Sequence, residues 1–157
     1  MLKRVRSKPT FALVFLTEYQ ESLFGNVKGL NAHVLKTCAE KNFLVQGTFF
    51  EKHYSNNCVG EQFDLCRERI KELKSLFPKE KIVIITYDFQ MLYGEAKFDA
   101  RWRTWVRNIK THLYSFQNQE VYIYEATFGD LTKLSKKDLE ISYHHHFENT
   151  KKRKKKK

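Results

Sequence analysis

Two carboxylates stand where a strand would end. Asp88 closes the run IVIITYD, and Glu18 follows the apolar run at 11–16. A carboxylate at the carboxyl end of a strand projects from the sheet and can hold Mg²⁺. It can as readily cap the turn that follows. Neither residue has a clear second carboxylate beside it in sequence. Asp88 is therefore the candidate metal ligand, Asp88 and Glu18 are the candidate catalytic residues, and Mg²⁺ is the ion such a site would take. His144, His145 and His146 also invite a metal reading. Consecutive side chains of an extended chain point to opposite sides, so three adjacent imidazoles rarely close on one ion. A polar, disordered tail explains them better, and a paired-histidine nuclease site would need a strand and a placed tyrosine; Tyr143 alone is at hand. No P-loop, dinucleotide fingerprint or G-x-S-x-G elbow occurs.

The cations are more distinctive. The 157 residues carry a net charge of +11, from 29 Lys and Arg against 18 Asp and Glu. Seven of the positive charges are Lys151, Lys152, Arg153, Lys154, Lys155, Lys156 and Lys157, and four more are Lys3, Arg4, Arg6 and Lys8. Without these two ends, 18 basic residues face 18 acidic ones, so the body is formally neutral. A neutral globule with cationic arms gains affinity for phosphates by releasing their counterions. The same tail could solubilise the chain, act as an import signal or meet anionic lipid, although no lipidation motif accompanies it. Within the body, Arg103, Arg107 and Lys110 follow helical i, i+4, i+7 spacing opposite a stripe of Trp102 and Trp105. That face could track a phosphate backbone, or it could be an ordinary solvated helix face. With Arg101 and the tail, these residues are the candidate nucleic-acid contacts, DNA being preferred to RNA.

The elements that must position these groups follow from periodicity. Runs at 11–16, 43–50, 81–87 and 121–128 read as strands, rich in β-branched and aromatic residues. Helical spacing over 27–41 lines up Val27, Leu30, Val34 and Cys38. Over 61–77 it lines up Phe63, Cys66, Ile70, Leu73 and Phe77 before Pro78, and over 98–114 it lines up Trp102, Trp105, Val106, Ile109 and Leu113. A last short helix is expected from Leu131 to Leu139. The βαβαβαβα order predicts helices packed on a sheet. Residues 51–60 could hide a short hairpin strand, and 89–97 read as a loop. The expected organisation is a basic arm at 1–8, one α/β domain at 9–143 and a disordered His- and Lys-rich tail at 144–157.

Composition excludes several classes. No stretch approaches the roughly 20 apolar residues of a membrane span. The apolar run at 11–16 is shorter than the core of a signal peptide and has no small-residue cleavage site after it. A cytoplasmic protein is expected. Cys38, Cys58 and Cys66 are odd in number and form no C-x-x-C pair, which favours reduced thiols over disulfides or structural zinc.

Over residues 11–88 the chain resembles the Cas-two family, the small subunit of the CRISPR spacer-acquisition integrase. FALVFL, a helix to Asn42, LVQGTFFE at 44–51, the helix at 61–77 and KIVIITY at 81–87 follow that family's order. The most specific piece is Val45-Gln46-Gly47-Thr48-Phe49-Phe50-Glu51, similar to the family's V-Q-x-S-V-F-E strand. The resemblance implies an α+β, ferredoxin-like βαββαβ sandwich, here with a C-terminal βα elaboration or partial repeat at 89–143. It also implies an antiviral-defence role: a homodimer that holds duplex DNA through its phosphates beside an integrase partner subunit. The family's first strand usually ends in a nuclease aspartate, and here that place reads Leu16-Thr17-Glu18, which implies a non-catalytic subunit. A second register starts from IVIITYD, so that Asp88 takes the family's aspartate and 116–134 supply the next strand. The alternatives are a small Mg²⁺-dependent endonuclease or toxin-like endoribonuclease using Asp88, and a non-catalytic interaction or regulatory protein with a basic tail.

Overall fold

A computed structural model describes residues 10–51, 61–89, 100–127 and 130–139. Among the described residues, five strands and four helices make one mixed α/β layer structure. In chain order they are β1 (Thr10–Thr17), α1 (Glu18–Phe24), α2 (Val27–Glu40), β2 (Phe43–Glu51), α3 (Glu61–Leu76), β3 (Ile82–Thr86), α4 (Ala100–Asn118), β4 (Tyr122–Glu125) and β5 (Thr132–Leu134). The sheet order is β2-β1-β3-β4-β5. β1 pairs in parallel with both β2 and β3, β3 pairs in parallel with β4, and only β5 runs antiparallel, against β4.

The two central strands explain their own sequences. A parallel strand covered on both faces has no polar side to present, so it reads as a continuous apolar run. Residues 12–17 of β1 and all of β3 are buried. One face of the sheet packs Leu13, Phe15, Ile82, Ile84 and Ile123 against Phe63, Cys66, Ile70 and Leu73 of α3 and Ile109, Leu113 and Phe116 of α4. The other face packs Ala12, Val14, Leu16, Val83 and Ile85 against Leu30, Val34 and Cys38 of α2. The chain moves one way from β1 to β2 and the opposite way from β2 through β3 to β4. A crossover of constant hand must then change face, which is why α2 lies on one side and α3 and α4 on the other.

The strand pairing corrects the ferredoxin-like expectation. In that sandwich an antiparallel strand separates the two parallel strands of each βαβ unit. Here β1 lies directly against β2 and β3, both parallel to it, in a doubly wound order. β4 joins the same sheet as its fourth parallel strand, so residues 122–125 continue the layer rather than elaborate it. The expected helix at 131–139 is also corrected. Residues 132–134 form β5 on β4, and only 136–139 turn helically. Ser135 stops the strand with a reciprocal cap: its Oγ accepts from the Asp138 N–H, and its own N–H donates to Asp138 Oδ2 at 2.8 Å. Val27 and Phe77, assigned to apolar helix faces, are 40% and 43% exposed; Phe77 lies beyond α3 and meets the Phe11 ring edge-on. The possible hairpin at 52–60, the loop at 90–97 and the tail lie outside the described residues.

Candidate functional site

β1 and β3 are neighbours whose connections leave in opposite directions, which makes the gap beyond their carboxyl ends the topological switch point of the sheet. In open α/β sheets ligands bind at that place. Glu18 follows β1 and Asp88 follows β3, so the fold brings the two candidate carboxylates to the same edge from adjacent strands. Both are half-buried. Glu51 ends β2 and Glu125 ends β4, which gives each of the four parallel strands an acid at or just past its carboxyl end. Glu51 and Glu125 hold backbone N–H groups. Glu51 Oε1 accepts from the N–H groups of Gln62 and Phe63 at 3.1 and 3.2 Å and so caps the start of α3. Glu125 Oε2 accepts from the Phe89 N–H at 2.9 Å. Burial pushes both carboxyls above the usual carboxylate range, against the pull of those bonds, and the Asp88 charge adds to the rise at Glu125. Among the described residues no three His, Cys, Asp or Glu side chains form a group that could hold a metal ion.

The gap itself is tied shut by Gln20. Thr17 and Gln20 form a capping box at the start of α1: Gln20 N–H donates to Thr17 Oγ1, and Thr17 N–H donates to Gln20 Oε1. The Gln20 amide then reaches across to β3, donating from Nε2 to Thr86 Oγ1 at 2.6 Å and to the Asp88 carbonyl at 2.7 Å. Thr17, Gln20 and Thr86 are all at most 1% exposed. The T-x-x-Q spacing of the box is visible in sequence. The reach to Thr86 is not, because it requires β3 to lie beside β1. Next to this clamp, the rings of Phe24, His33 and Tyr87 meet with centroids within 5.6 Å, Tyr87 edge-on to the other two, and His33 Nε2 lies 2.6 Å from the Ala126 carbonyl.

The cationic candidates sit elsewhere. α4 carries Arg101, Arg103, Arg107 and Lys110 and no acidic residue over its 19 positions. Its apolar side is fixed by Ile109, Leu113 and Phe116 in the core. Arg107 is exposed, as are Thr104 and Thr111, which places the outward face along 104, 107 and 111. Lys110 is half-buried, its ammonium 5.4 Å from the centre of the Tyr114 ring. None of the ion pairs among the described residues involves Arg107. α3 packs beside it and contributes cations too, but Arg67 is paired with Asp64 and Arg69 with Glu72. Burial holds the His112 imidazole of α4 below its usual value, and the nearby Arg67 and Lys71 charges add to this. The backbone of Arg101 and Arg103 is helical, whereas their side chains, those of Trp102 and Trp105, and the basic residues 151–157 lie outside the described set.

No family model, curated protein or solved structure matches the chain.

Proposed function

We propose that the protein binds nucleic acid, preferentially duplex DNA, through its phosphate backbone, using the outward face of α4 together with the basic ends. The observation that carries this reading is α4, which holds four cations and no acid, with Arg107 on its exposed face, in a body whose charges otherwise include more acids than bases. Such contacts position a duplex without reading its bases. The narrower form, a homodimeric DNA-holding subunit beside an integrase in a spacer-acquisition complex, rests on the LVQGTFFE strand alone. The test is fluorescence anisotropy of two unrelated duplexes over a salt series. Both should bind alike, with log K falling against log salt by about 0.9 per phosphate neutralised. Arg103→Ala/Arg107→Ala/Lys110→Ala should make that slope shallower by about two to three. A flat salt dependence, or a slope unchanged by the triple substitution, overturns the reading.

A second reading is favoured by the arrival of Glu18 and Asp88 at one edge. Mg²⁺ sites commonly use one or two carboxylates and complete their shell with substrate phosphate. Asp88 and Glu18 would hold the ion, and the ion would supply charge neutralisation at a phosphodiester. Mg²⁺-dependent cleavage of DNA or RNA that is lost in Asp88→Ala supports this nuclease reading. Cleavage that is absent, or indifferent to that substitution, removes it.

A further inference from the structure

At the opposite end of the sheet, the carboxyl end of α4 and strands β4 and β5 enclose an open recess of about 510 Å³, within the range of small-ligand sites. Gln117 lines it and is 6% exposed. Its Nε2 donates to the Leu134 carbonyl at 3.0 Å, which fixes the amide orientation and leaves Oε1 as the buried acceptor. That Oε1 has no donor among the described residues. A buried amide oxygen without a donor costs free energy, so it marks a place where a donor from outside is gained at full value. Two cations, Lys133 and Lys136, line the same recess with Ser135, against the single acid Glu120. Tyr122 supplies an aromatic ring, over which the Lys133 ammonium sits 3.8 Å from the centroid.

We infer that this recess binds an unpaired nucleotide. The base would take the Tyr122 ring face that the Lys133 ammonium covers and donate an N–H to Gln117 Oε1, while the displaced Lys133 and Lys136 would meet its phosphate. An aromatic platform beside cations is the usual equipment for single-stranded nucleic acid. The same chemistry could come from a free nucleotide or from the frayed end of a strand. The inference deepens the nucleic-acid reading but stands on different residues, so the two can fail separately.

The experiment measures binding of AMP, inorganic phosphate, a short single-stranded oligonucleotide and a blunt duplex to the full chain. The variants are Tyr122→Ala, Gln117→Leu and Lys133→Ala/Lys136→Ala, each checked by thermal melting. Tyr122→Ala should weaken the oligonucleotide at least fivefold. Gln117→Leu should weaken ligands with a base and leave inorganic phosphate unaffected. The double lysine variant alters only exposed side chains, and so it tests the site even if Tyr122→Ala does not fold. AMP and oligonucleotide both sensitive to these variants identifies the shared nucleotide; AMP alone sensitive identifies a free nucleotide; oligonucleotide alone sensitive identifies a strand end. Folded variants that bind both as tightly as the parent overturn the inference, even where duplex binding through α4 persists.

Discussion

Glu51 shows what a single side chain contributes. Its carboxylate satisfies two of the orphan N–H groups at the start of α3 from a strand ten residues earlier in the chain. Burial raises its pKa above the ordinary carboxylate range. Between the unfolded and the folded pKa the folded protein holds a proton that the unfolded chain has released, so stability is greatest below the unfolded pKa and falls as pH rises through the folded one. Glu51→Gln keeps an acceptor oxygen and removes the charge. Its melting temperature should match or exceed that of the parent at neutral pH, and its pH profile should be flatter across that window. Glu51→Ala loses the cap and should cost about 1 kcal/mol, or roughly 2–4 °C in melting temperature. A drop in Glu51→Gln as large as in Glu51→Ala would show that the charge, and not the acceptor, holds α3. The thiols give a second check. Burial pushes Cys66 up to about 12 and Cys38 to about 11, so almost no thiolate forms at neutral pH. In a Cys58→Ser background neither should react with a thiol reagent until the chain is denatured; prompt labelling of the native protein would contradict their burial.

At the scale of elements, the sequence displayed what is periodic and hid what is not. β1 and β3 were legible because burial on both faces removes polar residues from them, and α3 because Phe63, Cys66, Ile70 and Leu73 keep helical spacing. β5 was not legible: Thr132-Lys133-Leu134 is too short to show alternation, and Leu131, Leu134 and Leu139 mimic a helical stripe. Parallel pairing was not legible either, since strand direction depends on which neighbours meet and not on local propensity. For the same reason the carboxylates Glu18 and Asp88 were visible singly, while their shared edge and the Gln20 clamp were not. That clamp joins the end of β1, through Thr17 and Gln20, to Thr86 and Asp88 at the end of β3. Gln20→Leu preserves volume but strands the buried Thr17 N–H, so it should destabilise the fold by about 1–3 kcal/mol in a urea titration. A change below half of that would mean that backbone pairing and packing hold β1 to β3 without the clamp.

The whole molecule separates its charge from its core. No helix among the described residues is long and apolar enough to cross a membrane, and the excess positive charge resides in the two ends rather than in the body. Removing residues 151–157 should therefore leave the melting temperature unchanged within about 1 °C. It should also make the salt dependence of duplex binding shallower by at least about two in log–log slope. An unchanged slope would leave α4 and the basic residues Lys3, Arg4, Arg6 and Lys8 as the contacts. The central position of β1 has a consequence during synthesis. Among the described strands it is the first to be made, with residues 12–17 buried, yet both its partners lie downstream, ending at Glu51 and Thr86. At about 5–20 residues per second, translation leaves this apolar strand without its second neighbour for roughly 3 to 15 s. During that interval the nascent chain is a natural client for a ribosome-associated chaperone, and slowing translation downstream of β2 would lengthen its exposure.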